Sequence, residues 1–241
     1  MKKLILLAFL VPMASQAQFD GLIKLGKEVI NTVLKTDDSF DIAAGLKEAL
    51  NNGVAIQVTK LTATDGFYKN DAVKILMPSE LQKVEQTLRK LGMNKLADDG
   101  VKALNRAAED AVKEATPIFV DAVTGMSFTD AKNILMGNQS AATTYLQGST
   151  STALYGKFNP VIKNSFGKVG ADKIWTQIIT KYNSIPLVKK VNPDLTDYVT
   201  NQAMTGVFKM IAVEEKNIRS NVNARTSNLL KNVFAMQDKK Q

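Results

Sequence analysis

Histidine and cysteine are both missing from the 241 residues. Their absence removes Ser-His-Asp and Cys-His catalysis, together with any zinc site built on imidazole or thiolate. No disulfide can contribute, so the core has to hold by packing alone. Sustained strand alternation is absent too, as are repeats of 20–50 residues and heptads sustained enough for a coiled coil. The basic residues are scattered. A net charge of +8, two units of it on Lys2 and Lys3, comes without the clustered cations and interleaved aromatics that nucleic-acid binding uses. The chemistry left to the chain belongs to carboxylates, Lys, Tyr, Ser and Thr.

The first residues read as an export signal over 1–17. Lys2 and Lys3 form a basic start, Leu4–Val11 an apolar run of eight, and Ser15-Gln16-Ala17 a small-x-small cleavage site. Eight apolar residues are too few to span a bilayer. The mature chain then starts at Gln18 and is periplasmic or secreted, with no transmembrane span. A short amphipathic helix and linker are expected over 18–39, one all-α domain over 40–236, and a polar tail over 237–241.

Helical spacing of apolar residues runs through that domain. Asp41 is placed to cap a helix with the stripe Ile42, Leu46, Leu50, Val54, Val58 and Leu61. Gly45 and Gly53, eight apart, suit close approach by another helix. Residues 62–77 form the longest irregular connection, with a short extended piece at Val73–Met77. Pro78 opens the next helix and Gly92 stops it. A further pattern over 93–115 is kinked or restarted at Pro117. Ser127 and Asp130 form a capping box. The Ser/Thr/Gly-rich stretch 140–159 predicts two short helices broken near Gly148, with a third starting at Pro160, and Asn223 is placed to cap the last helix. About ten helices result, bundled around a C-terminal helix over 193–219. In that helix Asn192 is the expected N-cap and Pro193 opens the first turn; Leu195, Val199, Ala203 and Met210 lie on one face and Met204, Val207, Phe208, Ile211 and Ile218 on another, covering so much of the circumference that burial follows.

Two polar constellations stand out. Asn105, Arg106 and Glu109 share a helix face. Glu214, Glu215 and Arg219 end the central helix, with Glu215 and Arg219 one turn apart and Arg225 just beyond as a further partner. In either place the charges can tie helices together or anchor a polar ligand. A mixed-charge mouth at Lys189, Lys190, Asp194 and Tyr198 is the best anion-facing loop, because a basic pair beside a helix N-terminus attracts anions. No motif gathers carboxylates for a metal, and no cofactor is implied.

Several blocks resemble a bacterial family, the domain of unknown function 4197. They are AAGLKEALNNG, VKILMPSELQKVEQTLRKLG, LNRAAEDAV, FVDAVTGMSFTDAKNILMGNQSAATTYL and the stretch from Tyr182 to Phe234. The resemblance covers Ile42 to Phe234 and implies an exported helical protein without an established activity. It supplies no catalytic residues. With no catalytic motif, the expected role is a non-enzymatic binding or interaction module for an apolar or anionic small ligand or an envelope protein. The alternatives are a carboxylate-dependent envelope hydrolase using Glu109, Glu214 or Glu215, and a peripheral binder of anionic membrane.

The export signal has a direct check. N-terminal sequencing of the protein recovered from cells should begin at or near Gln18, and Met1 on most of the material would overturn the assignment.

Overall fold

The computed structural model describes residues 38–168, 171–184, 186–187, 190, 194–225 and 227–238. Nine α-helices and one 3-10 turn occupy them, with no strand among the described residues: α1 (Asp38–Thr62), α2 (Ser79–Lys90), α3 (Asn94–Val112), α4 (Ala115–Thr124), α5 (Phe128–Met136), α6 (Ala141–Lys168), α7 (Ala171–Asn183), α8 (Thr196–Ser220), the 3-10 turn (Val222–Ala224) and α9 (Asn228–Asp238). The expected helix over 18–35, the export signal, Asn192 and Pro193 lie outside the described residues.

The all-α class is as expected, and the long C-terminal helix is central. α8 packs against α6, α3 and α1, while α3 and α6 also pack on each other. Val199, Ala203, Val207, Phe208 and Ile211 are buried in it. The Phe208 ring meets Phe119 of α4 edge to face, centroids 6.0 Å apart and planes at 90°, the arrangement that the ring quadrupoles favour. α1 closes the other side, touching α4, α5, α8 and α9. Its two glycines do admit helices: a Cβ on Gly45 would stand 2.4 Å from Val233 Cγ2 of α9, and one on Gly53 would meet Glu214 of α8.

The local signals at several ends are formed. Gly92, at φ +75°, terminates α2 with Gly92 N–H donating to Arg89 O and Met93 N–H to Leu88 O. That is a Schellman stop, and it needs the left-handed residue that glycine supplies. Ser127 and Asp130 form both halves of the capping box at α5.

Five boundaries differ from expectation. α4 already begins at Ala115, two residues before Pro117. α1 begins at Asp38, three residues before Asp41. α8 begins at Thr196, after the expected position 193, and Asp194 stands outside it, accepting from Thr196 N–H at 2.9 Å. α9 begins at Asn228, where Ser227 Oγ accepts from Leu230 N–H at 3.1 Å; Asn223 sits in the preceding 3-10 turn, and Arg225 lies in the connection rather than in a helix. The largest difference is α6, which runs unbroken through Gly148 and Pro160. Ala142, Leu146, Thr150, Leu154, Phe158, Ile162 and Phe166 follow one another at four-residue spacing and are all buried. Burying that continuous stripe against α3 and α8 outweighs about 1 kcal/mol per glycine and about 3 for the proline.

Gly66 and Gly148 therefore respond oppositely to the same substitution. A Cβ on Gly66 would stand 2.4 Å from the Lys60 carbonyl oxygen, whereas one on Gly148 meets nothing within 4 Å. Gly66→Ala should lower stability by about 1–3 kcal/mol, and Gly148→Ala should raise it by about 0.5–1 kcal/mol. Denaturant melts of the two variants check the difference in sign.

Candidate functional site

The polar residues singled out in the sequence fall into two separate groups. The first clasps the irregular connection after α1. Asn105, fully buried on α3, donates from Nδ2 to Ile75 O and accepts Ile75 N–H at Oδ1, both at 2.8 Å. One amide thus takes the place of the neighbouring strand that Val73–Met77 lacks. Glu109 accepts the N–H groups of Phe67 and Tyr68 at Oε1, 3.1 and 3.3 Å away. Its other oxygen pairs with Arg106, which also bridges to Asp65. A hydrogen bond from Lys69 is the largest cause holding the Asp65 carboxyl below its ordinary range, reinforced by Arg106. Phe67 can then pack over Gly206 of α8, where an added Cβ would stand 2.7 Å from its ring.

The second group sits where α5, α6, α8 and α9 converge. Glu215 and Arg219 are paired at 2.8 Å with side chains only 5% and 3% exposed. Glu215 accepts Ala142 N–H and Thr143 N–H, at 2.9 and 2.8 Å, and the Thr143 hydroxyl at 2.8 Å. Arg219 donates to Ile134 O and Leu135 O at 2.8 and 3.1 Å. The anion therefore closes the N-terminus of α6 and the cation closes the end of α5, each matching the sign of the helix dipole it faces. Glu214 instead takes a hydrogen bond from Gln57 at 2.8 Å.

Arg225 does not partner Glu214 or Glu215. It donates to Ile218 O and Arg219 O at the end of α8, and it pairs with Asp238 of α9 at 2.5 Å. Arg225 is caught by the returning helix because it precedes α9 instead of opening it. The Phe234 ring lies within cation–π distance of both arginines, 5.8 Å from Arg219 and 5.4 Å from Arg225. A cavity of about 30 Å³ beside this junction, lined by Leu50, Gly53, Ile211 and Phe234 among others, has room for about one water.

The mixed-charge mouth before α8 is only partly visible. Lys189 lies outside the described residues and Lys190 is exposed. Asp194 is held below its ordinary range first by its hydrogen bonds with Thr196 and more weakly by Lys163. Tyr198 turns to the 74–78 segment and donates to Leu76 O at 2.9 Å.

That contact marks a groove that the sequence reading missed. It is open, encloses about 510 Å³, and is lined by Lys74, Leu76, Met77, Pro78, Ser79, Gln82, Tyr198 and Gln202. Beside it runs an exposed polar strip of α8, Asp197, Asn201 and Thr205. The Tyr155 hydroxyl of α6 donates to Asp197 at 2.6 Å, and that bond is the chief cause raising the Tyr155 pKa. Asn201 Nδ2 also reaches Asp197, and Asn159 reaches Thr200. The available signals were the alternation that leaves Leu76 outward and the polar residues at four-residue spacing along an otherwise apolar helix.

The buried pair sets a stability test. Removing one partner leaves an uncompensated charge and the helix ends unmatched, so Arg219→Met should cost about 3–5 kcal/mol. Asp238→Asn, at a carboxylate 46% exposed, should cost at most about 1 kcal/mol. Denaturant melts in which the two variants lose similar stability would contradict this assignment.

Among the described residues no helix is long and apolar enough to cross a membrane. No curated protein and no solved structure matches the chain. A family model described as a protein of unknown function (DUF4197) matches residues 36–235, and the chain belongs to that family.

Proposed function

We propose that this protein is an exported, non-enzymatic binding module of the cell envelope, and that its partner is held at the groove beside the first turns of α8. The observation that carries this reading is the use made of the charges. Glu109 and Glu215, the two buried carboxylates among the described residues, are closed by backbone N–H groups and arginine, so their oxygens are engaged inside the fold. Ligand-sized space lies instead at the surface, over side chains from α2, α8 and the 74–78 segment. The basic, apolar and small-residue succession over Lys2–Ala17 supports export.

Both edges of the groove are fixed before any partner arrives. Asn105 holds Ile75 from beneath, and Tyr198 holds Leu76 from the side. A surface ordered in advance loses less conformational entropy on binding.

The test is an amide NMR titration of the labelled mature chain with a soluble extract of the cell envelope. Shift changes should concentrate at residues 74–82 and 197–202. Changes centred on Glu109 or Glu215 with conversion of extract components would favour a hydrolase, and an unchanged spectrum would overturn the proposal.

A further inference from the structure

The lysines are spread along the chain, but the acids that would balance them are not. Between Asp130 and Asp194 there are eight lysines and a single acid, Asp172, so this stretch carries +7 of the net +8. It takes in the rest of α5, then α6, α7 and the connection into α8. Elsewhere cations are matched close by. Arg89 pairs with Glu85 and Asp98, Lys95 with Asp99, and Lys113 with Asp110. Lys157, Lys163 and Lys168 of α6 and Lys181 of α7 are exposed, and they enter no ion pair among the described residues. Two carboxylates feel them, Asp110 through Lys168 and Asp194 through Lys163. Both are already engaged, Asp110 by Lys113 and the Ser165 hydroxyl, Asp194 by Thr196 N–H.

The shape around these charges is that of a surface meant to lie against a plane. Gly156, Pro160, Asn164 and Gly167 stand among the α6 lysines and are exposed. A Cβ on Gly156 or Gly167 would meet nothing within 4 Å, so the outward side of the helix is low and a flat partner can come close. Closeness matters, because attraction between exposed charges fades beyond about 10 Å at moderate salt. The charges are also spaced along the helix instead of gathered at one point. Such spacing suits a lipid leaflet, where charge is spread and each nearby lysine is worth about fivefold in affinity.

An apolar element completes the match. Leu187, in the connection after α7, is fully exposed beside the exposed Pro186, and the exposed Lys190 follows. The connection returns to α6, since Asp194, four residues after Lys190, lies within electrostatic reach of Lys163. Apolar side chains flanked by cations are what the boundary between headgroups and acyl chains accepts. A soluble polyanion would engage the lysines but gain nothing from Leu187.

We propose that the C-terminal half of α6, with Leu187 and Lys190, docks the protein on an anionic lipid bilayer. The lysines lie among the headgroups and Leu187 enters the interface. This surface is assigned independently of the groove and adds a membrane as a second partner.

The experiment measures co-sedimentation of the chain from Gln18 with vesicles of phosphatidylcholine containing about a third phosphatidylglycerol, and with phosphatidylcholine alone. At low salt the anionic vesicles should bind at least about tenfold more tightly, and about 1 M salt should abolish the difference. The triple variant Lys157→Glu, Lys163→Glu, Lys168→Glu should weaken binding by about a hundredfold. Reversal of three exposed lysines elsewhere, Lys83→Glu, Lys102→Glu and Lys216→Glu, changes the net charge equally and should weaken it by less than about tenfold. Leu187→Asp should weaken vesicle binding by about tenfold and leave binding to soluble polyphosphate unchanged. If the first triple variant shifts the melting midpoint, the single Lys→Gln variants decide, each with an expected loss of about fivefold at an unchanged midpoint. Equal binding to the two vesicles, equal loss from the two triple variants, or no effect of Leu187→Asp would overturn the proposal. Binding to polyphosphate without binding to vesicles would assign the lysines to a soluble polyanion and overturn it as well. The groove titration is independent of each of these outcomes.

Discussion

The buried pair of Glu215 and Arg219 is the contact on which the junction of four helices depends. Taking two charges out of water costs several kcal/mol per ion, and their mutual attraction alone often does not offset it. Here each charge also serves a helix end. The carboxylate accepts two N–H groups at the start of α6, and the guanidinium donates to two carbonyls at the end of α5. Those backbone groups would otherwise be buried without partners, a cost of about 1–3 kcal/mol each. A single turn of α8 thereby fixes where one helix stops and the next begins. α9 then packs over it, with Phe234 against both arginines and Asp238 on Arg225.

The same physical logic recurs at the other end of the molecule. The connection between α1 and α2 has no helix or sheet to satisfy its backbone, yet it carries Phe67, Val73, Ile75 and Met77 into the core. Side chains of α3 stand in for the absent partner. Asn105 takes both groups of Ile75, and Glu109 takes two successive N–H groups. Clusters of this kind resemble active sites in a sequence, since both require polar residues at helical spacing. What separates them is whether the polar atoms are left with anything to do. In both clusters they are engaged by backbone and by each other.

The groove over Tyr198 follows from that clasp. Pinning Ile75 inward forces Leu76 outward by the alternation of an extended chain, and the first turns of α8 meet it from the side. The groove is thus a by-product of how the connection is tied down, and its shape is set by buried residues beneath it. Substitutions at Asn105 or Glu109 would loosen the face without touching it.

The amino-acid sequence alone determined the class of the fold, the ends of α2 and α5, the burial of α8 and the family. The family rests on the resemblance of several blocks along the chain; the others rest on local periodicity or on a cap within a few residues, and such signals survive in any tertiary setting. The one-turn pairing of Glu215 with Arg219 was legible for the same reason. Tertiary structure alone decided that α6 passes through Gly148 and Pro160, because the stripe from Ala142 to Phe166 outweighs the local penalties only when α3 and α8 cover it. It also decided that Arg225 meets Asp238 and that Tyr198 meets Leu76, 122 residues away. Such pairs depend on where helices return in space, and no spacing along the chain encodes that.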